Sequence, residues 1–393
     1  MITNQIRAKD EKFIAGTYAR SPVVFETGKG AVLTDSEGGS FIDFSSGIGV
    51  LSLGQADPAW VDAISRQAAR LSHISNLYHT SPMVELAERL ISRTGMEKVF
   101  LANSGTEANE GAIKAARKYM NTNYPGQRDT ILCLKGSFHG RTLAALTATG
   151  QPDMHKNFGP LPGGFAFTPA NDIAALRENL SENIGAVMIE CIQGEGGVIE
   201  LEESFVAEIA TVCKERDILL IADEIQTGVG RTGSFLCSTQ YRLSPDIVTL
   251  AKGLGGGLPI GAILFGEKTA HTLGKGDHGS TFGGNPICCA GGVAVLDAID
   301  DAFISQVAQK GDYLRGKLES LPGIAAVTGR GLMLGCLLNS PLSAADIVSA
   351  CLGEGLVLLT AKEKLRLLPP LNITIDELDA GIKIMAKVLE RAR

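Results

Sequence analysis

One lysine, Lys252, has the surroundings that activate an amine for nucleophilic chemistry. It follows a β-branched run beginning at Asp246, which predicts a buried strand, and it precedes a run of glycines. Because burial disfavours the charged ammonium, we expect a lowered pKa and an amine able to form a Schiff base. A lysine that ends a strand and faces solvent is the commoner case, and this stretch alone leaves it open.

Ser104, Gly105 and Thr106 stand where a predicted strand, KVFLA, gives way to a predicted helix, TEANEGAIKAARKYM. A turn of this kind offers free backbone N–H groups, two hydroxyls and the positive end of a helix dipole, which together suit a phosphate. Simple N-capping by Ser104 or Thr106 is the alternative interpretation.

Phe138 and His139 lie in a glycine-containing turn after a second predicted strand, TILCL, and Arg141 follows them. An aromatic ring and an imidazole beside a glycine can stack on a planar ligand. The guanidinium of Arg141 suits bidentate binding of a carboxylate, although an ordinary surface arginine explains that residue equally well.

Asp223 ends a third predicted strand, ILLIA. A carboxylate at the end of a buried strand needs a cationic or hydrogen-bonding partner, and a pyridinium nitrogen would serve. The chain continues through Gly228, Gly230 and Gly233 in a GxGxxG pattern. These glycines do not open an amphipathic helix directly after the strand, so the pattern does not favour a dinucleotide site.

Glu190 and Glu195 flank a further turn, after the strand AVMI. Two carboxylates around glycines could form the acid–base pair of a glycosidase. Because no other pattern in the chain supports sugar chemistry, we do not favour that function.

Together these strand ends offer a phosphate site, an aromatic platform, a buried acid and an activated lysine. Pyridoxal phosphate requires this set, since the acid keeps the ring nitrogen protonated and the lysine forms the Schiff base. The combination is far more specific than any of its parts. It therefore favours an activated Lys252 over a solvent-facing one.

The elements that must position these residues alternate between strand and helix from Lys98 to about Phe265. The predicted strands are KVFLA, TILCL, AVMIE, ILLIA, IVTLA and GAILF. Short apolar strands separated by helices predict a mostly parallel α/β sheet covered by helices on both faces. Ligands bind such sheets at the carboxyl ends of the strands, where the candidate residues stand.

The pattern changes after about residue 290 to one typical of a smaller α+β domain, closed by a helix with a capping box from Thr374 to Glu377. We expect residues 1–50 to contribute to the small domain, 51–285 to form the large cofactor-binding α/β domain, and 286–393 to form the C-terminal small domain. Gly95 is expected to end an earlier helix.

The composition narrows the function classes. With 36 basic and 43 acidic residues the net charge is −7, which gives no support for nucleic-acid binding. We expect no membrane segment and a cytoplasmic protein, because neither a signal core nor a long apolar stretch is visible. The eight cysteines show no metal-binding spacing, so we expect buried free thiols and no metal.

Eight segments carry a resemblance to a known family. They are SNLYHTSP (75–82), FLANSGTEANEGAIKAAR (100–117), FHGRT (138–142), IECIQGEGG (189–197), LLIADEIQTGVGRTG (219–233), LAKGLGGGLPIGA (250–262), STFGGNPICCA (280–290) and LRLLPPL (365–371). On these residues the chain resembles the class III aminotransferases, pyridoxal-phosphate enzymes of fold type I. Within them it looks like the acetylornithine aminotransferases of arginine biosynthesis.

The resemblance implies roles around the cofactor. Lys252 would form the Schiff base, and Asp223 would pair with the pyridine nitrogen. The ring would stack on Phe138, with His139 beside it, and Gln226 would donate to its 3-hydroxyl. The phosphate would lie in the Ser104, Gly105 and Thr106 turn.

It also implies a homodimer with shared sites, in which Thr281 reaches the phosphate of the neighbouring subunit. Arg141 would bind the substrate α-carboxylate, and Ser280 would also contact substrate. Glu195 and Arg366 would form a gate that exchanges partners between the half-reactions. Glu190 would be a supporting acid of the substrate pocket.

The implied reaction transfers the δ-amine of N2-acetyl-L-ornithine to 2-oxoglutarate, giving N-acetyl-L-glutamate 5-semialdehyde and glutamate. Succinylornithine, ornithine and 4-aminobutyrate aminotransferases remain alternatives, as do a pyridoxal-phosphate racemase or mutase and a non-enzymatic binding protein. Two positions depart from the family pattern. Cys191 replaces the usual proline, and Gln55 stands where a histidine is common.

Overall fold

The computed structural model describes residues 2–339 and 341–392. Its helices are α1 (Ile2–Phe13), α2 (Ser46–Gly49), α3 (Pro58–Ala68), α4 (Ser81–Thr94), α5 (Gly105–Asn123), α6 (Leu143–Ala148), α7 (Pro152–His155), α8 (Ile173–Asn179), α9 (Glu203–Glu215), α10 (Cys237–Gln240), α11 (Pro286–Ala298), α12 (Asp301–Glu319), α13 (Ala344–Gly353) and α14 (Ile375–Arg391).

The strands are β1 (Phe25–Lys29), β2 (Val32–Asp35), β3 (Ser40–Asp43), β4 (Lys98–Ala102), β5 (Thr130–Leu134), β6 (Phe165–Thr168), β7 (Ile184–Ile189), β8 (Ile192–Gln193), β9 (Ile199–Glu200), β10 (Leu219–Asp223), β11 (Ile247–Leu250), β12 (Gly261–Phe265), β13 (Ile324–Arg330), β14 (Met333–Leu338), β15 (Leu356–Val357), β16 (Leu359–Ala361) and β17 (Lys364–Leu367).

The central sheet has seven strands in the order β4-β12-β11-β10-β7-β5-β6. Only β12 runs against its neighbours, β11 and β4, so the prediction of a mostly parallel sheet is confirmed. Strands β5, β7, β10, β11 and β12 are buried along their whole length, as their continuous apolar sequences require. Strand β6 was not predicted.

Three helix termini agree with the local signals in the sequence. Ser104 caps α5 by accepting the N–H of Glu107. Gly95 ends α4 with φ of 68°, a conformation that glycine adopts without strain. The capping box at the start of α14 is present, with Thr374 and Glu377 each bonded to the other's backbone. Helix α1 was not predicted.

Two four-stranded sheets lie outside the central one. In the first, β3 pairs with β15 in parallel, which joins the N-terminal strands to a segment near residue 356. In the second, β17 lies between β14 and β16, and it carries Arg366. The domain boundaries given above stay a prediction.

Large apolar clusters cover the central sheet. All eight cysteines are free thiols, and every one but the half-buried Cys288 is buried, as the sequence predicted. Within the described residues, no helix has the length and apolar character needed to cross a membrane.

Candidate functional site

The carboxyl ends of the central strands surround a cavity of about 350 Å³. Most of the residues selected from the sequence line it, as do others that were not selected. The lining residues predicted from the sequence are Ser104, Gly105, Phe138, His139, Glu190, Asp223, Gln226 and Lys252. The sheet therefore brings together side chains that are up to about 150 residues apart in sequence, as the strand-end rule predicts.

Lys252 follows β11 directly and begins a short 3-10 turn. Its φ is +37°, a strained value for a residue with a side chain. Burial is the largest influence on its amine and lowers its pKa to about 8, against an opposing effect of the Glu195 charge. A larger neutral fraction near neutral pH is the property that nucleophilic catalysis requires of a lysine.

Asp223, at the end of β10, is 4% exposed and holds three hydrogen bonds. Its Oδ1 accepts the Ile225 N–H at 3.0 Å. Its Oδ2 accepts the amide of Asn109 at 2.7 Å and lies 2.7 Å from His139 Nδ1. Asn109 was missed in the sequence, although a polar residue on the alanine- and glycine-rich face of a helix signals a buried hydrogen bond.

His139 is buried beside this carboxylate. Burial lowers its pKa, but the hydrogen bond and charge of Asp223, together with the charge of Glu190, outweigh burial and raise the pKa overall. Within the described part of the chain its Nε2 is buried without a hydrogen-bond partner. The imidazole and the carboxylate therefore form one polar unit at the cavity wall.

The start of α5 lines the same cavity through Ser104 and Gly105. The first N–H groups of a helix lack intrahelical partners, which makes those of Gly105 and Thr106 available to an anion. A Cβ added to Gly105 would lie 2.8 Å from Cγ2 of Ile225. Glycine thus permits Ile225, another residue missed in the sequence, to lie close to the helix start.

Glu190 is buried and accepts two backbone N–H groups, from Phe138 at 2.8 Å and Gly194 at 3.3 Å. Burial raises its pKa to about 7, with a further upward effect of Asp223. This carboxyl joins the turn that carries Phe138 to the turn that leads to Glu195.

Glu195 and Arg366 form an ion pair, with 2.5 Å between Oε1 and Nη1. Burial acts to raise the pKa of Glu195, but the charge and hydrogen bond of Arg366 outweigh burial and lower it. Gln226 bridges the pair, since it accepts from Arg366 at 3.3 Å and donates to Glu195 at 3.5 Å. Arg366 is only 3% exposed, so any change of its partner takes place inside the protein.

Six predicted residues do not line this cavity. Thr106 adjoins the lining residue Gly105, and Glu195 and Arg366 are hydrogen-bonded to the lining residue Gln226.

The other three lie elsewhere. Arg141 is exposed, with its guanidinium carbon 5.6 Å from the centroid of the Phe138 ring. Ser280 and Thr281 line a different cavity of about 680 Å³, and Thr281 is exposed. A single chain does not bring these two residues to the Lys252 cavity.

The two departures from the family pattern lie away from the cavity lining. Cys191 is buried in an apolar cluster, and its carbonyl accepts the hydroxyl of Tyr241 at 3.5 Å. Gln55 forms a backbone bridge with Gly30 through two hydrogen bonds of 2.9 and 2.8 Å.

The cavity fits pyridoxal phosphate. Ser104 and Gly105 line it at the start of α5, where the free N–H groups of Gly105 and its neighbour Thr106 suit a phosphate, and the half-buried Phe138 suits a planar ring. Asp223 offers a carboxylate to a ring nitrogen, and Lys252 offers an amine of lowered pKa to an aldehyde.

A family comparison supports the same chemistry. Residues 13–389 match the model of the class-III aminotransferases. The chain belongs to this family and is an aminotransferase.

Three individual proteins of known name are similar to this chain over nearly its whole length. The acetylornithine aminotransferase of Haemophilus ducreyi is 48% identical over 390 residues, which cover 99% of each chain. The solved N-acetylornithine aminotransferase of Stenotrophomonas maltophilia is 36% identical, with a TM-score of 0.84 and 98% of each chain covered. The ornithine aminotransferase of Toxoplasma gondii, described with partial occupancy of PLP at its active site, is 32% identical, with a TM-score of 0.94, and covers 99% of this chain and 94% of its own. The chain therefore has the fold of these enzymes.

Proposed function

We propose that the protein binds pyridoxal phosphate and transfers the δ-amine of N2-acetyl-L-ornithine to 2-oxoglutarate. The products are N-acetyl-L-glutamate 5-semialdehyde and L-glutamate. The observation that carries the proposal is the meeting of Lys252, Asp223 and the α5 start in one cavity. The donor is supported by full-length relatives of that name, such as the 48% identical enzyme of Haemophilus ducreyi.

When bound, pyridoxal phosphate supplies an electron-withdrawing ring that stabilises negative charge at the carbon next to the substrate nitrogen. The residues of the chain bind and orient the cofactor. The N–H groups of Gly105 and Thr106 would hold the phosphate, and Phe138 would stack on the ring. Asp223 would place a carboxylate at the ring nitrogen, where negative charge favours the protonated nitrogen.

Lys252 has two tasks in this proposal. Its amine would hold the cofactor through the aldehyde, and once free it would act as the base that takes a proton from the substrate carbon bearing the reacting nitrogen. The pKa of about 8 suits both tasks, because the neutral amine is a nucleophile and a base. Lys252→Ala should therefore abolish turnover while the fold is retained.

Substrate recognition rests on two arginines. Arg141 binds the α-carboxylate of acetylornithine, far from the reacting carbon, and its planar guanidinium suits that task. Glutamate carries a second carboxylate, which requires a cation near the reaction. Arg366 supplies that cation when glutamate replaces Glu195 as its partner, so the ion pair acts as a gate between the two half-reactions.

The second subunit is also part of the proposal. Exposed apolar side chains, among them Leu77 at 87%, Phe282 at 62% and Tyr78 at 61% exposed, surround the segment that holds Ser280 and Thr281. We expect this surface to pair with a second copy, which takes Thr281 to the phosphate of its partner. Phe282→Asp should give a monomer in sedimentation experiments, whereas an unchanged dimer would contradict this interface. The cytoplasmic location stays a prediction.

Steady-state kinetics test the substrate. With 2-oxoglutarate as acceptor, kcat/KM is measured for acetylornithine, succinylornithine, ornithine and 4-aminobutyrate, with Lys252→Ala as the inactive control. We expect acetylornithine to be preferred. A preference for ornithine or 4-aminobutyrate would keep the aminotransferase and reject the donor, and turnover without any oxo acid would indicate a racemase or mutase instead.

A further inference from the structure

A chain of buried polar side chains is hydrogen-bonded to Asp223. Asn109 and Thr249 are both fully buried, and neither lines the cavity. The Thr249 hydroxyl donates to Asn109 Oδ1 at 2.8 Å. The Asn109 amide donates in turn to Asp223 Oδ2 and to the His139 carbonyl, both at 2.7 Å.

Two acceptors, Asp223 Oδ2 and the His139 carbonyl, determine which way the Asn109 amide points, and the Thr249 hydroxyl supplies the donor for its oxygen. A reversed amide would place its oxygen against Asp223 Oδ2 and the His139 carbonyl, three acceptors without a proton between them. It would also turn the NH₂ group toward the Thr249 hydroxyl. In the observed orientation both amide hydrogens are used and the Thr249 hydroxyl donates to Oδ1, so every polar group of Asn109 has a partner.

These bonds leave Asp223 with one oxygen that can accept a further donor. A carboxylate offers about four lone-pair directions. Asn109 and His139 occupy Oδ2, whereas Oδ1 accepts only the Ile225 N–H among the described residues. The Asn109 and His139 bonds therefore hold Oδ2 in place and leave Oδ1 able to accept a further donor.

The same elements carry the other functional groups. Asn109 lies four residues after Gly105, one turn into α5. Thr249 pairs in register with Asp223 across β10 and β11, and it precedes Lys252 by three residues. The Asn109–Thr249 contact thus ties the helix that starts at the phosphate site to the strand that ends at the lysine.

We propose that Asn109, held by Thr249, is a positioning residue that keeps the Asp223 carboxylate directed at the ring nitrogen of bound pyridoxal phosphate. The inference rests on the proposed function, because it requires the cofactor to bind in this cavity. A purely structural role would stabilise the packing of α5 on the sheet and would affect every ligand of the cavity alike.

The test compares two ligands that differ only at the ring nitrogen. Apo-protein is titrated with pyridoxal phosphate and with the analogue in which that nitrogen is replaced by C–H, and Kd is measured for each by absorbance. The Kd of the analogue divided by the Kd of pyridoxal phosphate isolates the contact to the nitrogen, and this quotient is called the ratio below.

The variants are Asn109→Ala, Thr249→Val and the control Thr249→Ser, which keeps the hydroxyl. Thermal unfolding of each apo-protein monitors the fold.

We expect the ratio to fall about tenfold in Asn109→Ala, as the loss of one hydrogen bond to a charged group implies. Thr249→Val should lower it less, and Thr249→Ser should leave it unchanged. In the double variant Asn109→Ala/Thr249→Val the ratio should equal that of Asn109→Ala, because Thr249 acts only through Asn109.

Other results of this titration would reject either the positioning role of Asn109 or the proposed function. If Asn109→Ala weakens both ligands equally, or lowers only the unfolding temperature, the residue is structural and the inference fails. A ratio that falls equally in Thr249→Ser also rejects it. If the wild-type protein binds neither ligand, the proposed function itself fails, which distinguishes the two.

Discussion

Removing the charge of Glu195 should impair one half-reaction and spare the other. In Glu195→Gln the side chain keeps its shape but no longer neutralises Arg366, which is 3% exposed. With acetylornithine bound, the Arg366 guanidinium then has only neutral amide oxygens as partners among the described side chains, that of the new glutamine and that of Gln226 at 3.3 Å. With glutamate bound, the substrate itself supplies one.

The size of the effect follows from the geometry of the pair. Glu195 Oε1 lies 2.5 Å from Arg366 Nη1, and a hydrogen bond between charged groups contributes about 2 kcal/mol. At 1.4 kcal/mol for each factor of ten, kcat/KM for acetylornithine should fall about 30-fold. The glutamate half-reaction should change less than about threefold, since its carboxylate takes the place of Glu195.

The assay is stopped-flow absorbance of the holoenzyme in each half-reaction separately. Glu200→Gln is the matched control, because Glu200 pairs with Arg330 at 2.9 Å but, unlike Glu195 and Arg366, neither residue is hydrogen-bonded to Gln226 of the cavity lining among the described residues. It should leave both half-reactions unchanged. Equal losses in the two half-reactions of Glu195→Gln would refute the gate.

Two further predictions concern the lysine and the helix start. The reaction rate of the apo-protein amine at Lys252 with a small aldehyde should rise with pH and level off above about 8, because the pKa is lowered from 10.5 and only the neutral amine reacts; a rate still rising at pH 10 would contradict the burial of the amine. Gly105→Ala should weaken pyridoxal phosphate binding about tenfold, since the new Cβ meets Ile225 at 2.8 Å and overpacking costs about 1–3 kcal/mol. Ile225→Val combined with it should recover part of the loss, and no recovery would indicate that the contact is not the cause.

Much of the site could be predicted because parallel strands bring their carboxyl ends to one edge. Lys252, Asp223, Glu190 and Phe138 each follow a short apolar strand, so local patterns were enough to select them. Asn109 was missed because it lies inside a helix, and its partner on β10 is 114 residues away. Its only local signal is its polarity among small buried residues.

Other elements were missed for local reasons. Strand β6, FAFT, is short and only partly buried, so it lacks the continuous apolar pattern of its neighbours. Helix α1 has a mostly polar sequence and is largely exposed, which gives little periodicity to detect. Ile225 acts by shape alone, through the space that Gly105 leaves, and shape complementarity between distant segments has no signature in sequence.

The central claim is that Lys252 and its cavity transfer an amino group from acetylornithine through pyridoxal phosphate. The most direct test is the visible spectrum of the holoenzyme after addition of one amino donor without any oxo acid. Acetylornithine should rapidly remove the absorbance of the lysine-bound cofactor, and 2-oxoglutarate should then restore it, while ornithine and 4-aminobutyrate should act much more slowly. A protein that takes up no pyridoxal phosphate, or whose spectrum does not respond to acetylornithine, would contradict the account.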